Sequence, residues 1–107
     1  MPGHASAAIA SYPFLGSSTQ PIKVPERFGV GEVIFNPASP KTIVFIQDVL
    51  KEVSDLFPGN IIHIGGDEAK YDLWKINEDI KALMKENQLE NYSDVQVHFT
   101  NNISDYI

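Results

Sequence analysis

One short apolar run constrains this chain more than anything else in it. Ile61-Ile62-His63-Ile64 is entered through Pro58-Gly59-Asn60 and left through Gly65-Gly66. Three β-branched residues in four, bounded by turn formers, read as a buried β-strand. Around that strand lie helical patterns. Ser39-Pro40 opens one, with Ser as cap and Pro at the first helical position. Phe45, Val49, Leu50, Val53, Leu56 and Phe57 then recur at helical spacing until Pro58-Gly59 stops them. A second helix is expected at roughly 72–87, with Ile76, Ile80, Leu83 and Met84 as its stripe. Ser93 reads as the cap of a third, which carries Val95, Phe99, Ile103, Tyr106 and Ile107. Three amphipathic faces need a sheet to cover, and one strand cannot supply it. The pattern is therefore α/β in class but mostly helical as it stands, and it is expected to be cut at both ends.

The first forty residues add a short helix and a long connection. Residues 5–11 are small and suit a closely packed helix, which Tyr12-Pro13 ends because a residue before proline is pushed out of the helical region. Residues 13–38 are rich in Pro, Gly and Ser, and a connection of that length inside a domain is often functional. It reads as a wall rather than a catalyst, with Val33-Ile34-Phe35 as a short extended piece.

Composition narrows the partners. The net charge is −6, from 8 basic and 14 acidic residues, and 9 of the acids lie beyond residue 57. Without a basic patch to meet phosphates, nucleic acid and anionic membranes are poor partners, whereas a neutral sugar is compatible. No apolar run approaches the ~20 residues that cross a bilayer, and no signal-peptide pattern opens the chain. Cysteine is absent, which excludes disulfides and thiolate chemistry. No signal for a cofactor, an oligomeric state or a compartment stands in these residues.

The chemistry concentrates at Asp67-Glu68. Acids just past a buried strand, where a helix begins, suit an α/β active site. They also suit the positive end of a helix with no further role. A neighbouring His63, the glycine pair and a second Gly-His element at Gly3-His4 tilt the balance towards a site. His4 by itself also reads as a loop histidine near a helix start, and His63 as a satisfied core residue. A metal site from His4, His63, Asp67 and Glu68 is allowed by residue type, but no close i, i+4 histidine pair supports it, and none is expected. Gly65-Gly66-Asp67-Glu68 superficially matches the Gly-Gly-Asp-Glu-Phe turn of diguanylate cyclases. Ala69 stands where that motif needs Phe, and a helix follows instead of a returning strand.

His63-Ile64-Gly65-Gly66-Asp67-Glu68 resembles the active-site signature of glycoside hydrolase family 20, the β-N-acetylhexosaminidases. Met1-Pro2-Gly3-His4 resembles the Pro-Gly-His element that the family carries one barrel strand earlier. The similarity continues through Tyr12-Pro13, Phe28-Gly29-Val30, Leu56-Phe57-Pro58 and Trp74. The resemblance implies that residues 1–107 are a partial catalytic domain, a fragment of a (β/α)₈ TIM barrel at about its third to fourth strand–helix units. It implies removal of terminal non-reducing β-linked GlcNAc or GalNAc by substrate-assisted retaining catalysis. This family stands outside the usual two-carboxylate scheme. Glu68 would be the general acid/base. Asp67 would orient the acetamido group and stabilise the oxazolinium, and His4 would support the carboxylate from beside it. His63 would stand behind them in a second layer, and Asp67 and Glu68 would contact the glycan. Trp74 is either a sugar-stacking platform or a packing residue, and its place within a helix favours packing. His98 reads as structural. The family's further sugar-binding groups, an arginine, several tryptophans and a Tyr/Asp pair, map to no position here. The alternative is therefore a non-catalytic, truncated remnant. Its full-length relatives are mostly periplasmic, secreted or lysosomal.

Overall fold

The frame is a set of helices tied together by one of their own number. The computed structural model describes residues 1–18, 22–24, 31 and 33–107. Helix α1 spans Ser6–Ser11, a 3₁₀ turn follows at Pro13–Leu15, and α2 runs from Pro40 to Leu56. Then come α3 (Asp72–Lys75), α4 (Glu78–Glu86) and α5 (Tyr92–Tyr106). The segment Phe28-Gly29-Val30 lies outside the described residues. Among the described residues no helix is long and apolar enough to cross a membrane.

Local chemistry sets most boundaries. Tyr12 (φ −130°, ψ 82°) is pushed out of the helical region by Pro13 and closes α1. Phe57 (φ −119°, ψ 111°) does the same before Pro58 and closes α2. Pro40 occupies the first turn of α2 as expected, although the Ser39 side chain makes no capping bond. The third long helix starts earlier than its serine. Asn91 is the cap, its side chain accepting from the Asp94 backbone N–H while the Asp94 carboxylate accepts from Asn91. That reciprocal box satisfies two donors that the first turn leaves free. The helix expected over 72–87 is broken in two. Asn77 leaves the helical region and its side chain caps α4 by accepting from Ile80 N–H. Ile76 falls in the break and is 74% exposed, so it leaves the stripe that Ile80, Leu83 and Met84 keep.

α5 joins two cores. Val95 enters one with Ile34, Trp74 and Ile80; Phe99 and Ile103 enter the other with Ala5, Ile9, Leu15, Phe35, Ile46 and Leu50. The three α5 residues sit four apart on one face. Ile34 and Phe35 split between the two cores as neighbours in extended chain do. Backbone bonds fasten this piece. Phe35 N–H donates to Pro2 O at 3.2 Å, Asn36 N–H donates to Leu15 O at 2.8 Å, and Gly16 and Phe35 form an antiparallel bridge.

Two expectations change. The inward face of α2 is Thr42, Ile46 and Leu50: of the expected stripe Leu50 is buried and Phe45 packs on the first core, while Val49, Leu56 and Phe57 are exposed. The run 61–64 is not a buried strand. No named strand occurs among the described residues, and Ile61 is 91% exposed. The alternation of a strand survives, however: Ile62 and Ile64 pack against the first core, while Ile61 and His63 face out. Helices cover one face of the run and nothing described covers the other. A strand is defined by ladder partners, and among the described residues the bond to this run's backbone comes instead from the Met1 terminal ammonium, which donates to Ile64 O.

Candidate active site

The turn after residue 64 is built from backbone angles that few residues adopt. Gly65 (φ 70°) and Gly66 (φ 143°) reverse the chain, and Glu68 itself has φ 55°. Glycine carries no penalty there, but a glutamate with positive φ is strained and must be held in place by its surroundings. What holds it lies on both sides. From the N-terminal side, Gly3 packs its backbone on this turn: a Cβ added there would lie 3.5 Å from Glu68 O and 3.6 Å from both Asp67 O and Ala69 Cα. From α5, the Gln96 amide donates to Gly66 O and its carbonyl accepts from the Tyr71 hydroxyl.

His4, also at positive φ (57°), then turns its ring onto the acid. Its Nε2 lies 3.2 Å from Glu68 Oε2, both side chains 54% exposed. Asp67 completes the group, with one ligand-capable atom from each of His4, Asp67 and Glu68 within 4.8 Å of one another. An imidazole nitrogen and two carboxylate oxygens could hold a cation by donor type, although exposed acidic groups often meet without one. Adjacent residues in a regular strand point to opposite faces; the left-handed turn at Glu68 lets both carboxylates serve one spot. Beside them, a cleft of about 520 Å³ opens between the turn and α5, lined in part by Gly66, Glu68, Tyr71, Gln96 and Asn101.

The other candidates fall elsewhere. His63 is exposed, not buried, and its Nδ1 accepts from Gly65 N–H at 3.0 Å, bracing the glycine turn rather than reaching the carboxylates. Trp74 is completely enclosed, stacks on Tyr71 (centroids 5.2 Å, planes 20° apart) and donates from Nε1 to Phe35 O at 3.0 Å. It is a packing residue, as its place in a helix favoured, since no ring face is left for a sugar. Among the described residues the hydrogen-bond partner of the His98 ring is Asn102, one turn further along α5, at 3.3 Å. Gln96 escaped the sequence reading. A lone glutamine between Val95 and Val97 carries no motif, and only the approach of the 65–71 turn gives it partners.

The whole chain, residues 1–107, matches the glycosyl hydrolase family 20 catalytic domain. The chain belongs to that family. The family 20 chain is 38% identical to a β-hexosaminidase of Porphyromonas gingivalis over 92% of its own length and 13% of that relative's. Its fold superposes on a Flavobacterium johnsoniae chitobiase with a TM-score of 0.93 at 32% identity, covering 99% of this chain and 16% of the other. A β-N-acetylhexosaminidase from Bacteroides fragilis gives a TM-score of 0.86 at 35% identity, covering 99% and 20%. The family 20 sequence thus spans less than a quarter of the length of these relatives.

Proposed function

We propose that this chain is a section of a (β/α)₈ barrel, about its third to fourth strand–helix units, in a glycosidase that releases terminal β-linked N-acetylhexosamine. The observation that carries this reading is the meeting of His4, Asp67 and Glu68 at one exposed spot beside a cleft. The bare face of residues 61–64 supports the barrel section, because a strand with helices on one side has its other face free for a barrel interior.

In this reading the substrate supplies its own nucleophile. The 2-acetamido oxygen bonds to the anomeric carbon as the bond to the leaving oxygen breaks, and Glu68 gives that oxygen a proton. Asp67 accepts a hydrogen bond from the acetamido N–H and stabilises the positive charge of the oxazolinium ring. Glu68 then takes a proton from water, the hydroxyl bonds to the anomeric carbon, and the ring opens with retention. His4 is the positioning residue that fixes the Glu68 carboxylate from the side, and His63 braces the turn behind it. The remaining walls of the sugar site would come from other strands of the longer protein.

Glu68→Gln in the whole enzyme tests the acid role. Hydrolysis of a disaccharide with a poor leaving group should fall by roughly 10²–10⁴, whereas an activated aryl N-acetylglucosaminide should lose far less. Equal losses on both substrates would overturn the assignment.

The half-exposed site also favours a second reading for the chain by itself, as a non-catalytic piece that cannot hold a sugar. Positioning supplies much of catalysis, so an acid with few walls around it turns over little. Glu68-dependent release of chromophore by the 107-residue chain would sink that second reading.

A further inference from the structure

Two glycines lead into Asp67, and glycine by itself holds no direction. Gly65 and Gly66 have access to backbone angles closed to other residues, so the peptide plane between Gly66 and Asp67 is fixed only by what the turn touches. Among the described residues the backbone of 65–68 makes two hydrogen bonds. Gly65 N–H donates to His63 Nδ1, two residues back in the same run, and Gly66 O accepts from the Gln96 amide. The first bond moves with the run. The second comes from α5, where Val95 and Phe99 beside Gln96 are buried in the two cores. A Cβ placed on Gly66 would lie 3.8 Å from Gln96 Nε2, so amide and turn are in van der Waals contact.

A glutamine side chain is long and flexible, and its amide is fixed only when both ends are held. Gly66 O can only accept, so the amide nitrogen faces it; the amide carbonyl then faces the Tyr71 hydroxyl, which donates to it. Tyr71 is held in turn by stacking on Trp74 and on Tyr92. One amide thus ties residue 66 to residue 71, with the acid pair between them. The Gly66 carbonyl and the Asp67 nitrogen share one rigid plane, so holding that carbonyl sets the direction in which Asp67 leaves the turn. Glu68 has a separate hold in His4 Nε2, 3.2 Å from its Oε2. We infer that Gln96 is the positioning residue of Asp67, acting through the Gly66 peptide and kept in orientation by Tyr71. The inference rests on the glycosidase reading, and it gives Gln96 a different share of the reaction from that of His4.

Kinetics of the proposed glycosidase on a disaccharide and on an activated aryl N-acetylglucosaminide test it. Asp67 acts on the acetamido group, which takes part whatever the leaving group is. Gln96→Met keeps the side-chain length and loses both bonds, whereas Gln96→Glu keeps the acceptor for Tyr71 and loses the donor for Gly66. Each should lower kcat by roughly ten- to a hundredfold, as a misplacement of about 1 Å does, and by the same factor on both substrates. The loss should fall on kcat more than on KM, because Asp67 meets its full charge only in the transition state. Tyr71→Phe keeps the stacked ring, should cause a smaller loss that is equally blind to the leaving group, and should add nothing to Gln96→Met. It also carries the test by itself if a Gln96 variant does not fold, which far-ultraviolet circular dichroism reads. If Gln96 were only a brace for stability, its variants would unfold sooner and keep the native kcat while folded, and that result overturns the inference. A loss confined to the disaccharide overturns it too, since it assigns Gln96 to Glu68. Glu68→Gln in parallel separates the two levels. Its selective loss on the disaccharide, beside unchanged kcat in the folded Gln96 variants, removes the positioning role and leaves the glycosidase reading standing. A native protein that hydrolyses neither substrate overturns both.

Discussion

Trp74 is where a packing role and a sugar-binding role make opposite predictions. The Trp74→Phe substitution keeps a six-membered ring and removes the pyrrole with its N–H. Two losses follow from the structure. The Phe35 carbonyl loses its bond from Nε1 at 3.0 Å inside a closed site, and a stranded buried acceptor costs about 1–3 kcal/mol. The indole is wholly enclosed between Tyr71 and the second core, so the missing atoms leave a void worth roughly 1–2 kcal/mol more. Together these lower unfolding stability by about 2–5 kcal/mol, a large share of the ~5–15 kcal/mol typical of a small domain. Urea unfolding followed by circular dichroism at 222 nm is the assay, since the variant has no tryptophan left to report. The midpoint should fall by roughly 1–2 M. In the proposed glycosidase the variant's KM for an N-acetylglucosaminide should stay unchanged under conditions where the protein is folded. A stability change below about 1 kcal/mol together with a raised KM would refute the packing argument and return Trp74 to the sugar.

The capping box of α5 is predicted to matter because α5 serves both cores. Asn91→Ala should cost about 0.5–2 kcal/mol, measurable in the same unfolding experiment. Asp94→Ala combined with it should cost less than the sum of the two, because both belong to one pair of reciprocal bonds. Ile61 tests the proposed barrel section. Ile61→Ser should change the stability of the 107-residue chain by no more than about 0.5 kcal/mol, as expected of an open surface site. In a protein where a barrel closes over that face, burying the unpartnered hydroxyl should cost several times as much. Matched unfolding curves for the two contexts would show whether the bare face is covered.

Short-range chemistry was the readable part of this sequence. The closures of α1 and α2 at Tyr12 and Phe57 follow from the prolines that come next, and Pro40 marks its first turn without help from anything distant. The site turn was readable in the same way, because Gly65 and Gly66 announce positive φ. Periodicity was less exact. On α2 several registers of apolar residues compete, and the pattern Phe45-Val49-Val53 was as regular as Thr42-Ile46-Leu50. Only the position of α5 and the 3₁₀ turn decides which of them is buried, and a threonine won a place because its hydroxyl reaches Leu15 O at 3.4 Å. The break at Asn77 was hidden for a related reason. Asparagine is a tolerable helix residue until its side chain finds the Ile80 N–H and its amide donates to Ser17 O.

The sequence by itself determined the glycine turn with its two acids and the closures of α1 and α2, because these depend on groups within a few residues of one another. Only the tertiary structure decided that His4 meets Glu68, that Gln96 holds the turn through Gly66 and Tyr71, and that Ile61 and His63 face outward. Those outcomes depend on where segments far apart in the chain come to rest. Burial and pairing belong to the assembled surfaces, and an apolar residue is buried only if something arrives to cover it.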